Sequence, residues 1–309
     1  MKKKISNKIK YLNFLFTLAI VFYHFKMIYP FNINYLNKFD NYITNLFLDV
    51  VDKFGYISMV FFFILSGFLY YFNINKPLDD LKKMKKRIKT LLVPYLLWFL
   101  IILFYLIITN NIKINFFMDF INKIFFNPID GPMWYCLALL LLMIPSPLII
   151  KLKNKKMLST ICLLCMLVWL YLRSFGIIKP LFEFSEWWWY GNMISYLQSY
   201  IIGVYLGLNF SSYIANPIKQ NKYIKILCGI LILPLVMLSV KVTNFAFKQL
   251  FYIGIIVCLW YLFDFKYLKH QKESHGNISF FLFAIHQPIL IPKINRLFSL
   301  MFKNSVFAV

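Results

Sequence analysis

Acidic residues are scarce in this chain, 11 Asp+Glu against 34 Lys+Arg in 309 residues, and charged residues of both signs make up only 15%. With 61% of residues hydrophobic and a mean hydropathy of +0.68, that excludes disorder and a water-soluble globule, which could not hide so much apolar surface. Ten glycines exclude a collagen-like chain, and five cysteines are too few for a disulfide scaffold. Cys136, Cys162, Cys165, Cys228 and Cys258 all fall in apolar blocks, where a thiol behaves as a small hydrophobe. The C-x-x-C of Cys162 and Cys165 sits in ICLLCMLVWL without further ligands, so core packing is expected of it and no metal is. No cleavable signal peptide is expected, because the first apolar block is long, ends in His24 and Lys26, and has no small-residue cleavage site. Repeats, low-complexity linkers and an appended soluble domain are also missing, so a single membrane domain over 1–309 is expected.

What is present is a net charge of +23 set among apolar blocks. The charge alone would suggest nucleic acid as a partner, but the basic residues lie between blocks of membrane length, so no nucleic acid is expected. The blocks are 11–29, 54–73, 91–109, 133–150, 157–173, 193–209, 226–242, 249–264 and 278–292, with 294–309 as a weak tenth. They predict an all-α, polytopic integral membrane bundle of nine to ten transmembrane helices. Segment 41–53 reads as amphipathic, either lying at the surface or lengthening the second helix. Of the 34 basic residues, 22 fall in 1–10, 74–90, 151–156, 210–225 and 265–275, which places the N-terminus and these loops in the cytoplasm.

A polar or ionisable residue inside a span is expensive to bury and marks a candidate site. His24 lies thirteen residues into the first span, roughly 20 Å from its cytoplasmic start. Its imidazole could act as general base on a hydroxyl or carry an acyl group, and the plainer alternative is a hydrogen bond to a neighbouring helix. His286, in SFFLFAIHQPIL, precedes Pro288, which has no N–H and breaks the helix beside it, so a polar pocket competes with simple packing. Ser66 and Gly67 are small residues in a bulky span, suited to close helix packing or to a ligand. The run Lys82-Lys83-Met84-Lys85-Lys86-Arg87-Ile88-Lys89 can enforce topology, bind anionic membrane lipids, or hold the phosphates of a soluble donor. On the outer side, Glu183 and Glu186 precede Trp187, Trp188, Trp189 and Tyr190, either an interfacial aromatic belt or a stacking platform with carboxylates for a sugar. Asp49 and Asp52, one turn apart, could orient a hydroxyl or simply be solvated.

The chain resembles the family-3 membrane acyltransferases, bacterial proteins that O-acylate cell-surface carbohydrates and related acceptors. The signatures run in family order from 11 to 292: LAIVFYHF with His24; FFFILSGFL with Ser66 and Gly67; KKRIKTLLVPYLLW with Arg87, Pro94 and Tyr95; GPMWYCLALLLL with Trp134 and Tyr135; SYIIGVYLG with Gly203 and Gly207; and NISFFLFAIHQPIL with Ser279 and His286. The resemblance implies about ten helices, a cytoplasmic acyl-CoA donor, usually acetyl-CoA, and an acceptor presented outside. It makes His24 the principal catalytic residue and the Arg87 region the site for donor phosphates. His286 is kept as a further catalytic candidate, and Lys86, Lys89 and Ser66 as further donor contacts. Glu183, Glu186, Trp188 and Trp134 are the candidate contacts for a carbohydrate acceptor. The position eleven residues before His24, commonly basic in the family, is Asn13 here, with Lys10 the nearest substitute. The chain ends seventeen residues after the ninth block, so a short or missing final helix is expected.

The expected function is O-acyl transfer from acyl-CoA to a carbohydrate hydroxyl by a multi-pass protein of the bacterial inner membrane. A flippase for a lipid-linked saccharide is the rival, disfavoured because inverted repeats are not visible and carboxylates are absent from most spans. A non-catalytic partner in glycan assembly is the third reading.

Overall fold

The structure, a computed structural model, describes residues 3–28, 38–72, 74, 77–109, 117–129, 131–151, 155–176, 188–210, 214, 222–263 and 274–293. Helices take up nearly all of them, with no strand among the described residues. In chain order they are α1 (Lys3–Ile28), α2 (Lys38–Tyr71), α3 (Pro77–Ile108), α4 (Phe117–Ile121), α5 (Trp134–Leu142), α6 (Ser146–Lys151), α7 (Lys155–Ser174), α8 (Trp188–Ser195), α9 (Leu197–Asn209), α10 (Lys222–Lys241), α11 (Phe245–Leu262) and α12 (Ser274–Ile285). They fall into two compact units, residues 1–62 with 215–309, and residues 63–214.

The first unit holds α1, the start of α2, and α10 to α12. Leu12, Phe16 and Ile20 are spaced four apart and form one buried stripe of α1, with Phe16 stacked on Phe61 at 4.3 Å. α10 and α11 pack along one another as a hairpin. The reversal is closed by Asn244, whose side-chain oxygen accepts from the amides of Ala246 at 3.0 Å and Phe247 at 3.4 Å and so caps α11. α1 packs against α12, and past Ile285 the latter widens into a π turn over His286–Leu290. Lys8, counted among the N-terminal topology charges, is instead part of α1 and fully buried, its ammonium 4.4 Å above the Trp260 ring.

The second unit holds the end of α2 and α3 to α9. Pro77 opens α3 where its missing N–H costs nothing, and Asp79 and Asp80 in the first turn suit the positive end of the helix dipole. α2 and α9 cross backbone to backbone at glycines. A Cβ on Gly67 would strike the Tyr200 carbonyl and come within 2.9 Å of the Val204 nitrogen; one on Gly203 would strike the Ile64 carbonyl. In lipid, where burial of apolar area gives little drive, such close packing is what holds helices together. α7 ends at Gly176, whose φ of 70° is readily adopted only by glycine.

Four helices are long and apolar enough to cross a membrane, Thr44–Tyr71, Leu78–Ile108, Lys222–Lys241 and Phe245–Leu262, and the pair Met118–Phe126 and Gly131–Leu142, bent by 69°, makes up to five among the described residues. The chain is therefore a multi-pass, all-α membrane protein, with fewer qualifying spans among the described residues than the nine to ten blocks suggested. Block 133–150 is not one span: it breaks after Leu142 into a turn at Met143–Pro145 and restarts at Ser146, because Pro145 and Pro147 offer no N–H to the ladder. Block 193–209 is interrupted at Tyr196 between α8 and α9. Segment 41–53 is part of α2, the longer-helix alternative. Cys165, expected in the core, is exposed on α7. The weak tenth block lies outside the described residues.

Candidate functional site

In the first unit, His24 near the end of α1 and His286 at the start of the π turn bring their rings to 5.0 Å, tilted by 43°. The His286 imidazole turns back on its own helix: its Nδ1 lies 2.7 Å from the Phe283 carbonyl and 3.2 Å from that of Leu282. Carbonyls only accept, so Nδ1 carries the proton and Nε2 keeps its lone pair. That Nε2 is buried with no hydrogen-bond partner among the described residues, in a side chain of 0% exposure. A bare imidazole nitrogen beside a second imidazole is equipped to accept a proton from a hydroxyl. Tyr23 packs its ring edge-on to His24 at 5.1 Å, and Gly55 lies against the Tyr23 ring with no room for a Cβ.

In the second unit, Ser66, Tyr70, Arg87, Leu91, Leu139, Met143 and Tyr200 line a narrow, half-open cavity. Ser66 Oγ and the Tyr135 hydroxyl are hydrogen-bonded at 2.6 Å. Arg87 is half-buried and forms no ion pair among the described residues. The cavity thus combines a guanidinium, three hydroxyl-bearing side chains and an apolar wall, which suits an anionic group attached to an apolar or amide-bearing arm. At its rim, Asp80 and Ser146 hold the Tyr70 hydroxyl, and Lys83 donates to the carbonyls of Tyr70, at 3.0 Å, and Phe72.

Of the residues expected from the sequence, His24 meets His286, and Ser66 and Arg87 line one cavity. Lys86 and Lys89 are exposed on α3 and do not line the cavity. Trp134 is 8% exposed and packs against Phe63 and Tyr196 at 5.9 and 6.5 Å. Trp188 begins α8, while Glu183 and Glu186 lie outside the described residues. Asp49 is exposed and Asp52 half-buried on α2. Residues 7–309 match the family model described as an acyltransferase domain. The chain belongs to acyltransferase family 3. No curated protein and no solved structure matches it. This family-3 protein is accordingly a membrane-embedded acyltransferase.

Several polar residues of the acyltransferase escaped the sequence reading. Tyr70 and Tyr200 stand in runs where tyrosine reads as an interfacial or packing aromatic, Tyr135 stood out only as a motif residue, and Ser146 is hidden between two prolines. Asp80 offered a signal, one of two adjacent acids before a strongly basic run, which is legible only once its burial to 1% exposure is known.

Proposed function

We propose that the enzyme transfers an acyl group, acetyl in the first instance, from acyl-CoA on the cytoplasmic side to a hydroxyl of a cell-surface or lipid-linked carbohydrate, working in the bacterial inner membrane with its N-terminus in the cytoplasm. The observation that carries this reading is the His24–His286 pair with its unpartnered Nε2. One imidazole nitrogen takes the acceptor's proton as the oxygen attacks the thioester carbon. The C–O bond forms, the C–S bond breaks, and the proton passes to the departing thiolate to leave free thiol and ester. His24 is assigned the proton transfer and His286 the support of its charge. Arg87, in a cavity with Ser66, supports a role in holding the donor's phosphates, and the exposed Lys86 and Lys89 on the same helix add to the attraction. The sequence juxtaposition of Glu183 and Glu186 with Trp188, and the aromatic Trp134, supports a carbohydrate acceptor.

Incubating membranes with radiolabelled acetyl-CoA and following label into surface glycan tests the proposal. Transfer that disappears in His24→Ala, with insertion into the membrane unchanged, supports it. Glycan loss without any label transfer from the unaltered protein would point to saccharide translocation, and full transfer by His24→Ala would sink the assignment of His24.

A further inference from the structure

Three helix ends meet at one buried carboxylate. Asp80, in the first turn of α3, is 1% exposed; its Oδ1 accepts from the Tyr70 hydroxyl at 2.8 Å and its Oδ2 from the Ser146 hydroxyl at 3.2 Å. Tyr70 is the penultimate residue of α2 and Ser146 the first of α6, and their two oxygens are themselves 3.0 Å apart. Arg87 lies seven residues along α3 from Asp80, on the same face and about 10 Å up the axis. It looks into the cavity that Tyr70 also lines. In a site this sheltered, a carboxylate with a free oxygen would be drawn to the guanidinium and would cancel the charge the cavity offers. It is not so drawn: both carboxylate oxygens are taken by hydroxyls, and Arg87 has no ion pair among the described residues. Lys83, between them on the helix, is likewise committed, to the carbonyls of Tyr70 and Phe72.

We propose that Asp80 is a positioning residue sequestered by the hydroxyls of Tyr70 and Ser146, and that this sequestration keeps the Arg87 charge open for the anionic group of the donor. The proposal rests on the reading that the donor's phosphates bind at Arg87. The device does two things at once. It ties the ends of α2, α3 and α6 together at the cavity wall, and it removes the one buried carboxylate on that face of α3 from competition for Arg87.

The test uses the full-length protein in detergent, with the KM for acetyl-CoA, kcat, and equilibrium binding of CoA as readouts, on variants that elute as a single species. Arg87→Ala sets the reference by raising KM. The double variant Tyr70→Phe with Ser146→Ala frees the carboxylate and is expected to raise KM about tenfold, moving KM more than kcat. Adding Asp80→Asn to that double variant removes the competitor and is expected to restore most of the loss, a rescue that a merely structural cluster would not show. A rise in KM with no rescue, or a further rise on adding Asp80→Asn, overturns the proposal. An unchanged KM in the double variant, with Arg87→Ala still impaired, overturns it while the donor reading stands. If Arg87→Ala leaves both KM and CoA binding unchanged, the donor reading falls and the proposal falls with it.

Discussion

The imidazole of His286 faces that of His24 with one nitrogen spent on the Phe283 carbonyl and the other left bare, the ring centres 5.0 Å apart. The two rings sit on helices that pack along one another. Roles that depend on this pairing can be separated from roles in folding.

If the two histidines act as a unit, their losses will not add. His24→Ala and His286→Ala are each expected to lower acyl transfer by about 10²-fold or more, and the double variant to fall little below the worse single one. Multiplying losses in a transfer assay would show that the rings work independently.

Pro288 stands in the π turn that begins at His286 and lends it no N–H. Pro288→Ala supplies one, which favours an ordinary helix over the π turn that presents His286. Turnover is expected to fall while thermal stability in detergent holds or rises, since a proline inside a helix ordinarily costs about 3 kcal/mol. Unchanged turnover would separate the π turn from catalysis.

At the α2–α9 crossing, Gly203→Leu places atoms where the Ile64 carbonyl and the Phe68 nitrogen now stand. Overpacking of this kind costs about 1–3 kcal/mol in ordinary cores, and a backbone obstacle yields less than a side chain. A clear drop in melting temperature or loss of folded yield is expected. Gly254→Ala, whose added methyl would meet only the Leu235 side chain at 3.3 Å, serves as the milder control.

Lys8 is buried over the Trp260 face. Lys8→Met keeps the apolar stem and removes the charge, and is expected to cost about 1 kcal/mol. A double-mutant cycle with Trp260→Leu should show the coupling, read as thermal stability in detergent. Additive losses would mean that the ring and the ammonium contribute separately.

The separation of apolar blocks by basic loops was enough to place this chain in a membrane as a helical bundle, because a membrane span has to satisfy its backbone hydrogen bonds internally and keep its charges at the ends. The same rule made His24 and His286 stand out, since polar groups in such blocks are few; Ser66 stood out by its small size in a bulky span and Arg87 by the basic run before the third one. It failed at Lys8, where α1 starts at Lys3 and continues through the polar stretch, and it failed at Asp80, which in sequence is one more charge in a solvated run.

Hydropathy, charge order and motif order were local properties, and by themselves they determined the fold class, the candidate histidines and the family. The tertiary structure alone decided that block 133–150 is two helices, that the His286 imidazole turns back on the Phe283 carbonyl with its other nitrogen unpaired among the described residues, and that Tyr70 and Ser146 meet on Asp80 from 10 and 66 residues away in the chain. Hydrogen-bond partners between separate helices depend on how those helices end and cross, and a linear pattern of apolar and polar residues carries no record of the crossing.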